Sequence, residues 1–591
     1  MKKALSILLA ATMLAVLLAA CGGGGDGGGG TATPPPSNNT PSGGGDTPSG
    51  GGGDGGEEPG APSPYEAEGL YWNEETGTWR FTDTRKISVE VFDRGLEDDR
   101  TKPEDCHWSK WIEEGVKRDL NLEIEWLTVP RFAGGGEAEI IVSMLAANDA
   151  PNVCYTYNHD AITEFGARGG VLDLIPYVDG YRDLLPNLWG LLGEDAVYAA
   201  RDPEEGHLYW LEAVLFNNAR IGTFVREDWL NKLGRSAPTT TQEFEDMLVA
   251  FKDNAELLLG ADANMLIPFT MSDDVGWRAN NLFVSFVPDA ITDKELYING
   301  YDDRQFMLPG YKEGVRLLSK WYDMGLVWQD FSTRGAPGET FEDNNMKAGL
   351  AGAFIGNWDY VYRQGDKSIQ ETMKAESTAE AAFIAVDCFQ NDAGKYRKFI
   401  SSRVGDRKIF LPYNNPEPLA SMLYVDWVSR DDVRKYLQIG EEGINHDVMD
   451  NGAIVIKSAA GTPYIQNGPF NIDYTITFNG SGQIDAIDPV ISGLSMALGF
   501  APIDPSYIAR AFEYAINDGR IAPRPNFGAI EAESGMANPL KSKRDTLLNQ
   551  VVNAPLADFD SIWDAGWRDY LNSGGQDIID ERTAKYEKYI G

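Results

Sequence analysis

The sequence predicts an α/β fold in which helices cover a mostly parallel sheet. Apolar residues alternate at positions 87–91 and again at 122–126, as they do in strands with one buried face. Between these two strands, apolar side chains recur at helical spacing over 108–120. A second helix is predicted for 137–147 and a third strand for 153–155. The order β-α-β-α-β favours a parallel sheet that binds ligands at the carboxyl ends of its strands.

Two later segments also have helical patterns. Residues 240–243, Thr-Thr-Gln-Glu, form a capping-box sequence ahead of an apolar stripe. A second stripe near the end of the chain consists of Phe559, Ile562, Trp563, Trp567, Tyr570 and Leu571. We therefore expect a helix in each segment, and we find no internal repeat.

The chain is long and strongly acidic. Its 591 residues include 51 Lys and Arg against 90 Asp and Glu, which gives a net charge of −39. This charge argues against nucleic-acid binding, which needs clustered basic residues, and against a basic face for anionic lipid. The length predicts two to four domains or two large lobes.

The N-terminus has the pattern of a secretion signal. Lys2 and Lys3 precede an uncharged apolar run from Ala4 to Ala20, which is shorter than a typical membrane-spanning helix. The run ends in Leu-Ala-Ala-Cys, which resembles the bacterial lipobox. That resemblance implies removal of residues 1–20 and lipidation of Cys21. We therefore expect an extracytoplasmic protein anchored to the cell membrane by lipid.

The segment from Gly22 to Ser63 is predicted to be a flexible tether. It is of low complexity and contains 17 Gly between residues 22 and 56. Such a segment buries too little apolar surface to offset the entropy of ordering it. Its length gives a root-mean-square reach of roughly 35 Å by the statistics of Gly-rich chains.

Cysteine and histidine usage predicts neither a disulfide framework nor a metal site. Beyond Cys21, only Cys106, Cys154 and Cys388 remain, an odd and widely spaced set. One disulfide bridge is possible, but small buried apolar residues fit the spacing better. The four histidines (107, 159, 207 and 446) are far apart, which argues against a His-rich zinc site. We expect no cofactor.

Several short motifs, in order along the chain, resemble those of bacterial extracellular solute-binding proteins for sugars. They are Asn148-Asp-Ala-Pro-Asn-Val153, Gly170-Val-Leu-Asp-Leu-Ile175, Pro186-Asn-Leu188, His207-Leu-Tyr-Trp-Leu211, Arg226-Glu-Asp-Trp-Leu-Asn-Lys-Leu-Gly234, Pro238-Thr-Thr240, Trp321-Tyr-Asp-Met-Gly-Leu326, Gly356-Asn-Trp-Asp-Tyr360 and Phe559-Asp560. The likeness spans about residues 85 to 585. It is greatest to the LipO-like, oligosaccharide-binding branch of carbohydrate ABC importers.

This resemblance implies a two-lobe, periplasmic-binding-protein-like α/β fold with a hinge and an interlobe cleft. One lobe is expected to hold residues 64–210 and 385–435, and the other 211–384 and 436–591. The implied function is capture of an oligosaccharide in the closing cleft and delivery to the permease subunits of an ABC transporter. We expect a monomer that is not an enzyme and that binds no nucleic acid.

Candidate ligand-binding residues are aromatic and polar, because aromatic rings bury the apolar faces of pyranoses while carboxylates and amides bond hydroxyls. Trp358, with Asn357 and Asp359, resembles a segment whose Trp stacks on sugar in this family, although a core Trp under a loop has the same pattern. Tyr157 and Asp160 follow a predicted strand and resemble the aromatic-x-x-Asp segment of maltose-binding proteins.

Three further residues complete the candidate set. Trp277 follows the polar run Ser-Asp-Asp at 272–274, and Tyr209 and Trp210 lie near the expected lobe crossing. Other tryptophans fit helical stripes and are expected in the core; they are Trp108, Trp111, Trp563 and Trp567.

Some alginate-binding members of the family carry an EF-hand-like calcium loop, which this sequence lacks. After Asp253 and Asn254 the chain continues as Ala-Glu-Leu-Leu-Leu, without the Gly turn or the alternating oxygen ligands. We expect no calcium there.

Two other classes of protein stay open. A surface carbohydrate-active enzyme needs only two carboxylates, although no Gly-x-Ser-x-Gly elbow, His-Glu-x-x-His pair or phosphate-binding loop occurs. A peptide-binding lipoprotein would share the architecture. The identity, linkage, length and charge of the sugar also stay open, and the acidic chain favours a neutral one.

Overall fold

The computed structural model describes residues 64–93, 102–131, 137–215, 218–299, 304–332, 338–363, 365–402, 404–457, 473–479, 495, 498, 500–522, 525–533 and 536–590. Cys21 and the tether to Ser63 lie outside the described residues, so the predictions about them stay predictions. Residues 62–591 form one compact unit.

Sixteen strands occur in the described ranges. They are β1 Leu70–Asn73, β2 Thr78–Phe81, β3 Arg85–Asp93, β4 Leu122–Pro130, β5 Cys154–Thr156, β6 Leu211–Leu215, β7 Ile221–Arg226, β8 Ile267–Phe269, β9 Ala351–Asn357, β10 Phe383–Val386, β11 Lys398–Phe399, β12 Val404–Phe410, β13 His446–Val448, β14 Ile454–Ile456, β15 Phe478–Asn479 and β16 Gly519–Arg520.

Twenty-one α-helices occur in the same ranges. They are α1 His107–Asp119, α2 Glu137–Ala147, α3 His159–Ala167, α4 Ile175–Gly180, α5 Pro186–Leu192, α6 Glu194–Val197, α7 Glu227–Lys232, α8 Thr241–Asp253, α9 Ala255–Leu259, α10 Val275–Arg278, α11 Asn280–Val284, α12 Asp293–Asn299, α13 Tyr311–Asp323, α14 Gly338–Lys347, α15 Ile369–Glu376, α16 Pro418–Ser429, α17 Asp431–Ile439, α18 Pro505–Ile516, α19 Ala537–Asn553, α20 Phe559–Tyr570 and α21 Gln576–Tyr589.

The predicted β-α-β-α-β unit is confirmed. Strands β3 and β4 pair in parallel over nine residue pairs, with α1 between them in sequence, and α2 precedes β5. A parallel bridge from Val89 to Val153 joins β3 to the start of β5. Buried side chains of β3 and α1, including Val89 and Ile112, belong to one hydrophobic core. The 3.6- and 2-residue periodicities were therefore sufficient to locate these elements.

The first sheet continues in the order β15-β6-β12-β5. Strand β12 is antiparallel to both β5 and β6, while β15 is parallel to β6. Thus β3, β4, β5, β6 and β15 run in one direction and β12 in the other. The carboxyl ends of the parallel strands all lie at one edge of this sheet.

The second sheet has the order β10-β7-β9-β8. Strand β7 is antiparallel to β9 and β10, and β8 is parallel to β9. Phe224 and Phe354 face one hydrophobic cluster, while Val225 and Ile355 face another, so apolar side chains cover both faces. The carboxyl ends of β8, β9 and β10 therefore lie at the edge where β7 begins.

The hydrophobic cores do not follow the expected lobe boundaries throughout. The core of the first sheet includes Tyr474, Ile476 and Phe478, although 436–591 was assigned to the second lobe. The core of the second sheet includes Cys388 and Phe399, although 385–435 was assigned to the first lobe. Phe478 belongs to β15, which pairs with β6 of the first sheet, whereas Cys388 closely follows β10 of the second sheet; sequence motifs do not reveal these strand pairings. The lobe boundaries stay a proposal.

The later helices form where their patterns indicate. Helix α8 begins after Thr240, whose side chain accepts a hydrogen bond of 3.1 Å from the backbone N–H of Glu243. In return, the carboxylate of Glu243 accepts hydrogen bonds from the backbone N–H and the hydroxyl of Thr239, the residue before Thr240. Helix α20 carries the second stripe, with Phe559, Trp563 and Tyr570 buried.

The three cysteines in the described ranges are unpaired and buried. Burial raises the pKa values of the Cys154 and Cys388 thiols well above the ordinary value. They behave as small apolar residues, as the spacing predicted. None of the described helices is long and apolar enough to cross a lipid bilayer.

Candidate functional site

A short segment connects the strand-end edges of the two sheets. Strand β6 ends at Leu215, at the carboxyl edge of the first sheet, and β7 begins at Ile221, beside the carboxyl end of β9. The intervening segment, 216–220, limits the separation of Leu215 and Ile221 to about 20 Å. Ligands bind at such edges in open α/β sheets, so functional side chains are expected there.

A second crossing segment runs beside the first. The backbone N–H of Ser401 donates a hydrogen bond of 3.0 Å to the carbonyl of Asn218. The chain crosses once more between Phe478, in the core of the first sheet, and Ile503, in the cluster behind the second. Repeated crossing agrees with the expectation from the sequence motifs. Two adjacent crossing segments are the arrangement that permits bending of one lobe against the other.

At the edge of the second sheet, Trp277 and Asn357 meet. The indole Nε1–H of Trp277 donates a hydrogen bond of 2.9 Å to Oδ1 of Asn357, the last residue of β9. The guanidinium carbon of Arg220 lies 5.0 Å from the centre of the Trp277 ring, within the range of a cation–π contact. Trp277 is only partly buried. Thus a positioned aromatic ring, an amide and a guanidinium group lie together at this edge.

Trp358 occupies a different environment from its neighbour Asn357. Its side chain is 5% exposed and belongs to the cluster behind the second sheet. Its ring meets Phe512 at a centroid distance of 5.3 Å and Phe500 at 6.3 Å, both edge-to-face. Asp359 pairs with Arg363, four residues further along the chain, at 2.8 Å. The structure therefore favours the core interpretation of Trp358.

At the edge of the first sheet, Tyr157 lies beside Arg131. The guanidinium carbon of Arg131 lies 4.5 Å from the centre of the Tyr157 ring. Phe92 stacks on the same tyrosine with a centroid distance of 6.1 Å and an interplanar angle of 22°. These three residues end or follow β3, β4 and β5, so the sheet itself brings them together.

A buried carboxylate fixes the position of Tyr157. Glu137, which is 5% exposed, accepts hydrogen bonds from the backbone N–H of Tyr157 at 3.0 Å and from the hydroxyl of Thr156 at 3.2 Å. Its other oxygen pairs with Arg131 at 3.1 Å. Below this layer, burial raises the pKa of Glu90, which accepts a bond from the Tyr155 backbone. A buried polar network thus holds the side chains at the edge of the first sheet in place.

Two further candidates are not brought to this edge. Tyr209 and Trp210 precede β6, so they lie at its amino end, opposite the edge that carries Tyr157. Trp210 is 2% exposed, and its indole N–H donates to Glu212 at 3.5 Å, a long bond. Asp160 lies in the first turn of α3, and its side chain is outside the described part of the structure.

Sequence reasoning missed the two arginines. Arg131 directly follows β4, so the strand-end rule alone would have singled it out. Arg220 precedes a strand, and only the antiparallel placement of β7 carries it to the carboxyl edge of β9. Within the described ranges, no three His, Cys, Asp or Glu side chains form a group that could hold a metal ion.

The chain is similar in sequence to two carbohydrate-binding proteins. It is 27% identical over 247 residues to the fructooligosaccharide ABC transporter substrate-binding protein FusA of Streptococcus pneumoniae serotype 4, covering 38% of this chain and 44% of that protein. It is 23% identical over 248 residues to the polygalacturonan/rhamnogalacturonan-binding protein YtcQ of Bacillus subtilis, covering 41% and 46%. The chain thus matches less than half the length of each relative. No family model matches it.

A solved structure establishes the fold. The alginate-binding protein AlgQ2, determined without calcium, superposes with a TM-score of 0.58 at 16% identity, over 86% of this chain and 98% of that one. The fold is that of the two-lobe solute-binding proteins. Of the two sequence relatives, one is named as a substrate-binding protein of an ABC transporter and the other as a polysaccharide-binding protein, and neither is named as an enzyme.

Proposed function

We propose that this protein is the lipid-anchored, extracytoplasmic binding component of a carbohydrate ABC importer. It captures an oligosaccharide between the two strand-end edges and delivers it to the permease subunits. The observation that carries this proposal is the pairing of an aromatic ring with an arginine at each edge. Tyr157 lies with Arg131 on one side, and Trp277 lies with Arg220 on the other.

The chemistry of each edge suits a sugar. The apolar C–H face of a pyranose buries well against an indole or phenol ring. Guanidinium groups donate charge-assisted hydrogen bonds to hydroxyls at the rim of that ring. The side-chain amide of Asn357 carries two further N–H donors beside the Trp277 ring. Each edge thus places an aromatic ring beside hydrogen-bond donors, which match the apolar faces and the hydroxyl groups of a sugar.

Closure would complete the site. Neither edge alone surrounds a ligand, and the adjacent crossing segments at Asn218 and Ser401 are suited to act as the hinge. We propose that ligand binding stabilises the closed arrangement, which the permease recognises. Tyr157 and Trp277 then contact the ligand from opposite sides, while Asp160 stays a candidate beside Tyr157.

Calorimetric titration with two families of oligosaccharide tests the function. The relatives bind fructooligosaccharides and pectic polysaccharides by their names, so short fructans and oligogalacturonides are the first ligands. Binding of either class, with a rise in Tm, supports the proposal, because a ligand that binds only the folded state stabilises it. Binding of di- and tripeptides in place of any sugar would move the protein to the peptide-binding class. Accumulation of shorter sugars during incubation would indicate an enzyme.

A further inference from the structure

A tryptophan on the β1–β2 hairpin is exposed to solvent. Trp72 is 45% exposed, and no other tryptophan in the described ranges is as exposed. The hairpin pairs Leu70 with Phe81 and Trp72 with Trp79, so these four side chains share one face. Leu70 and Phe81 are buried in the core of the first sheet. The tryptophan pair therefore extends an apolar face beyond the core into solvent.

The exposed ring begins a continuous row of aromatic side chains. Trp72 contacts Trp79 at a centroid distance of 5.6 Å, and Trp79 contacts Tyr65 at 5.1 Å. Tyr65 lies 6.2 Å from Tyr181, which stacks on Tyr177 at 6.4 Å with an interplanar angle of 26°. Apart from exposed Trp72, the members are partly buried. We call these five residues the aromatic row.

Carboxylates border the aromatic row. The hydroxyl of Tyr181 donates to Glu68 at 3.3 Å, and the side chains of Glu66 and Asp183 are exposed nearby in the chain. The charges of Asp183 and Glu68 contribute to raising the pKa of Tyr65, after burial. Two more glutamates, Glu74 and Glu75, are exposed at the tip of the hairpin. The surface is therefore apolar, aromatic and negatively charged at its border.

This combination decides between the ligands that an aromatic surface could bind. Trp and Tyr also suit the interface of a membrane, but a carboxylate border is repelled by anionic lipid headgroups. A sugar chain offers apolar ring faces to the aromatic side chains and hydroxyl donors to the carboxylates. The Trp72–Trp79 and Tyr65–Trp79 pairs meet edge-to-face, at interplanar angles of 71° and 90°, so the exposed ring of Trp72 is the member of the row that offers its face to a sugar.

We propose that the aromatic row is a second glycan-binding surface that holds a neutral polysaccharide chain. The site lies on the hairpin and α4, outside the two strand-end edges, and does not depend on the function proposed for them. A surface that retains a polymer raises the local concentration of the oligosaccharides released from it. The aromatic row would then hold the polymer, and the two strand-end edges would bind the oligosaccharides released from it.

Affinity electrophoresis of the full-length chain in native gels tests this inference. The probes are inulin and hydroxyethylcellulose, two neutral polymers. We expect at least one to retard the wild-type protein, and Trp72→Ala to weaken the interaction about tenfold, as burial of ~60 Å² of apolar ring predicts. The matched control is Tyr71→Ala, a residue of the same strand that is 41% exposed on the opposite face and should leave retardation unchanged.

Each further outcome has a defined meaning. Failure of both polymers to retard the wild-type chain would overturn the proposal, as would equal retardation of Trp72→Ala and wild type. Sedimentation with phosphatidylcholine–phosphatidylglycerol vesicles that depends on Trp72, without retardation by either polymer, would assign the row to the membrane instead. The polymers should retard the Trp277→Ala variant as strongly as wild type, and the Trp72→Ala variant should bind oligosaccharides with wild-type affinity. The two proposed sites can therefore be contradicted independently.

Discussion

Trp277 and Asn357, eighty residues apart in sequence, are joined by a hydrogen bond of 2.9 Å from the indole nitrogen to the side-chain oxygen. The bond fixes the plane of an indole ring that is otherwise only partly buried. A ring held in one orientation loses little entropy when it stacks on a ligand. This relationship makes Trp277, rather than Trp358, the expected stacking residue of the second edge.

Trp277→Ala should weaken oligosaccharide binding. An indole that removes ~80–100 Å² of apolar area from water contributes about 2–2.5 kcal/mol, which corresponds to roughly 30- to 70-fold in affinity. Calorimetric titration measures the loss. Trp567→Ala is the matched control, since Trp567 is also partly buried against the core of the second sheet but lies on α20. Equal losses in both variants would show that Trp277 acts only through stability.

Trp358→Ala should instead destabilise the fold. Because the indole is 5% exposed and packs against Phe512 and Phe500, its removal leaves a cavity that typically costs ~3–5 kcal/mol. Thermal unfolding of the ligand-free protein should show a lower Tm, while the folded fraction binds with near wild-type affinity. A normal Tm combined with lost affinity would return Trp358 to the binding site.

Ligand should make the protein more compact. The paired crossing segments at Asn218 and Ser401 permit closure, and closure reduces the radius of gyration measured by small-angle X-ray scattering. Trp277→Ala, studied at a ligand concentration that saturates only the wild type, should keep the ligand-free profile. An unchanged wild-type profile at saturation would argue against a closing hinge.

Asp426 should give the protein a pH-dependent stability. Its carboxylate accepts hydrogen bonds of 2.8 Å from the backbone N–H groups of Asn187 and Leu188, at the start of α5. Burial nevertheless raises its pKa to about 6. Because the folded pKa lies above the unfolded one, this group stabilises the fold fully below about pH 4. That contribution, about 3 kcal/mol, is lost as the pH rises through 6.

Urea unfolding of Asp426→Asn between pH 3 and 7 measures this contribution. The free energy of unfolding of the variant, relative to wild type, should rise with pH by about 3 kcal/mol. Asp432→Asn is the control, because Asp432 is largely exposed on the adjacent helix α17. Parallel stability curves for wild type and Asp426→Asn would show that the carboxyl group does not titrate abnormally.

Cys21→Ala should abolish membrane attachment. The lipobox-like sequence before Cys21 implies an acylated cysteine, and its replacement should leave a precursor that is unprocessed or released. Metabolic labelling with an alkyne fatty acid followed by fractionation detects the change. Cys106→Ala is the control, since that thiol is buried. Retained label in the Cys21 variant would contradict the assignment.

Periodicity predicted the first sheet and its helices, because patterns at 87–91, 108–120 and 122–126 reflect one buried face each. It also placed Tyr157 at a strand end. Periodicity could not show that Asn357 lies at the edge of the sheet while Trp358 packs in the cluster behind it. A residue at the end of a strand can face either way. Sequence order alone could not locate Arg220 either, because its position depends on how β7 pairs with β9.

The interleaved strand order has a consequence for synthesis. Strand β12 lies between β5 and β6, and Tyr474, Ile476 and Phe478 complete the same core. About 260 residues separate β6 from Phe478, so a ribosome adding roughly 5–20 residues per second needs some 13 to 50 s to synthesise them. Strand β12 is supplied after about 190 of these residues, but the edge of β6 that pairs with β15 stays unpaired until Phe478 has been added. A chaperone that holds the nascent chain would have to cover that edge until translation passes residue 478.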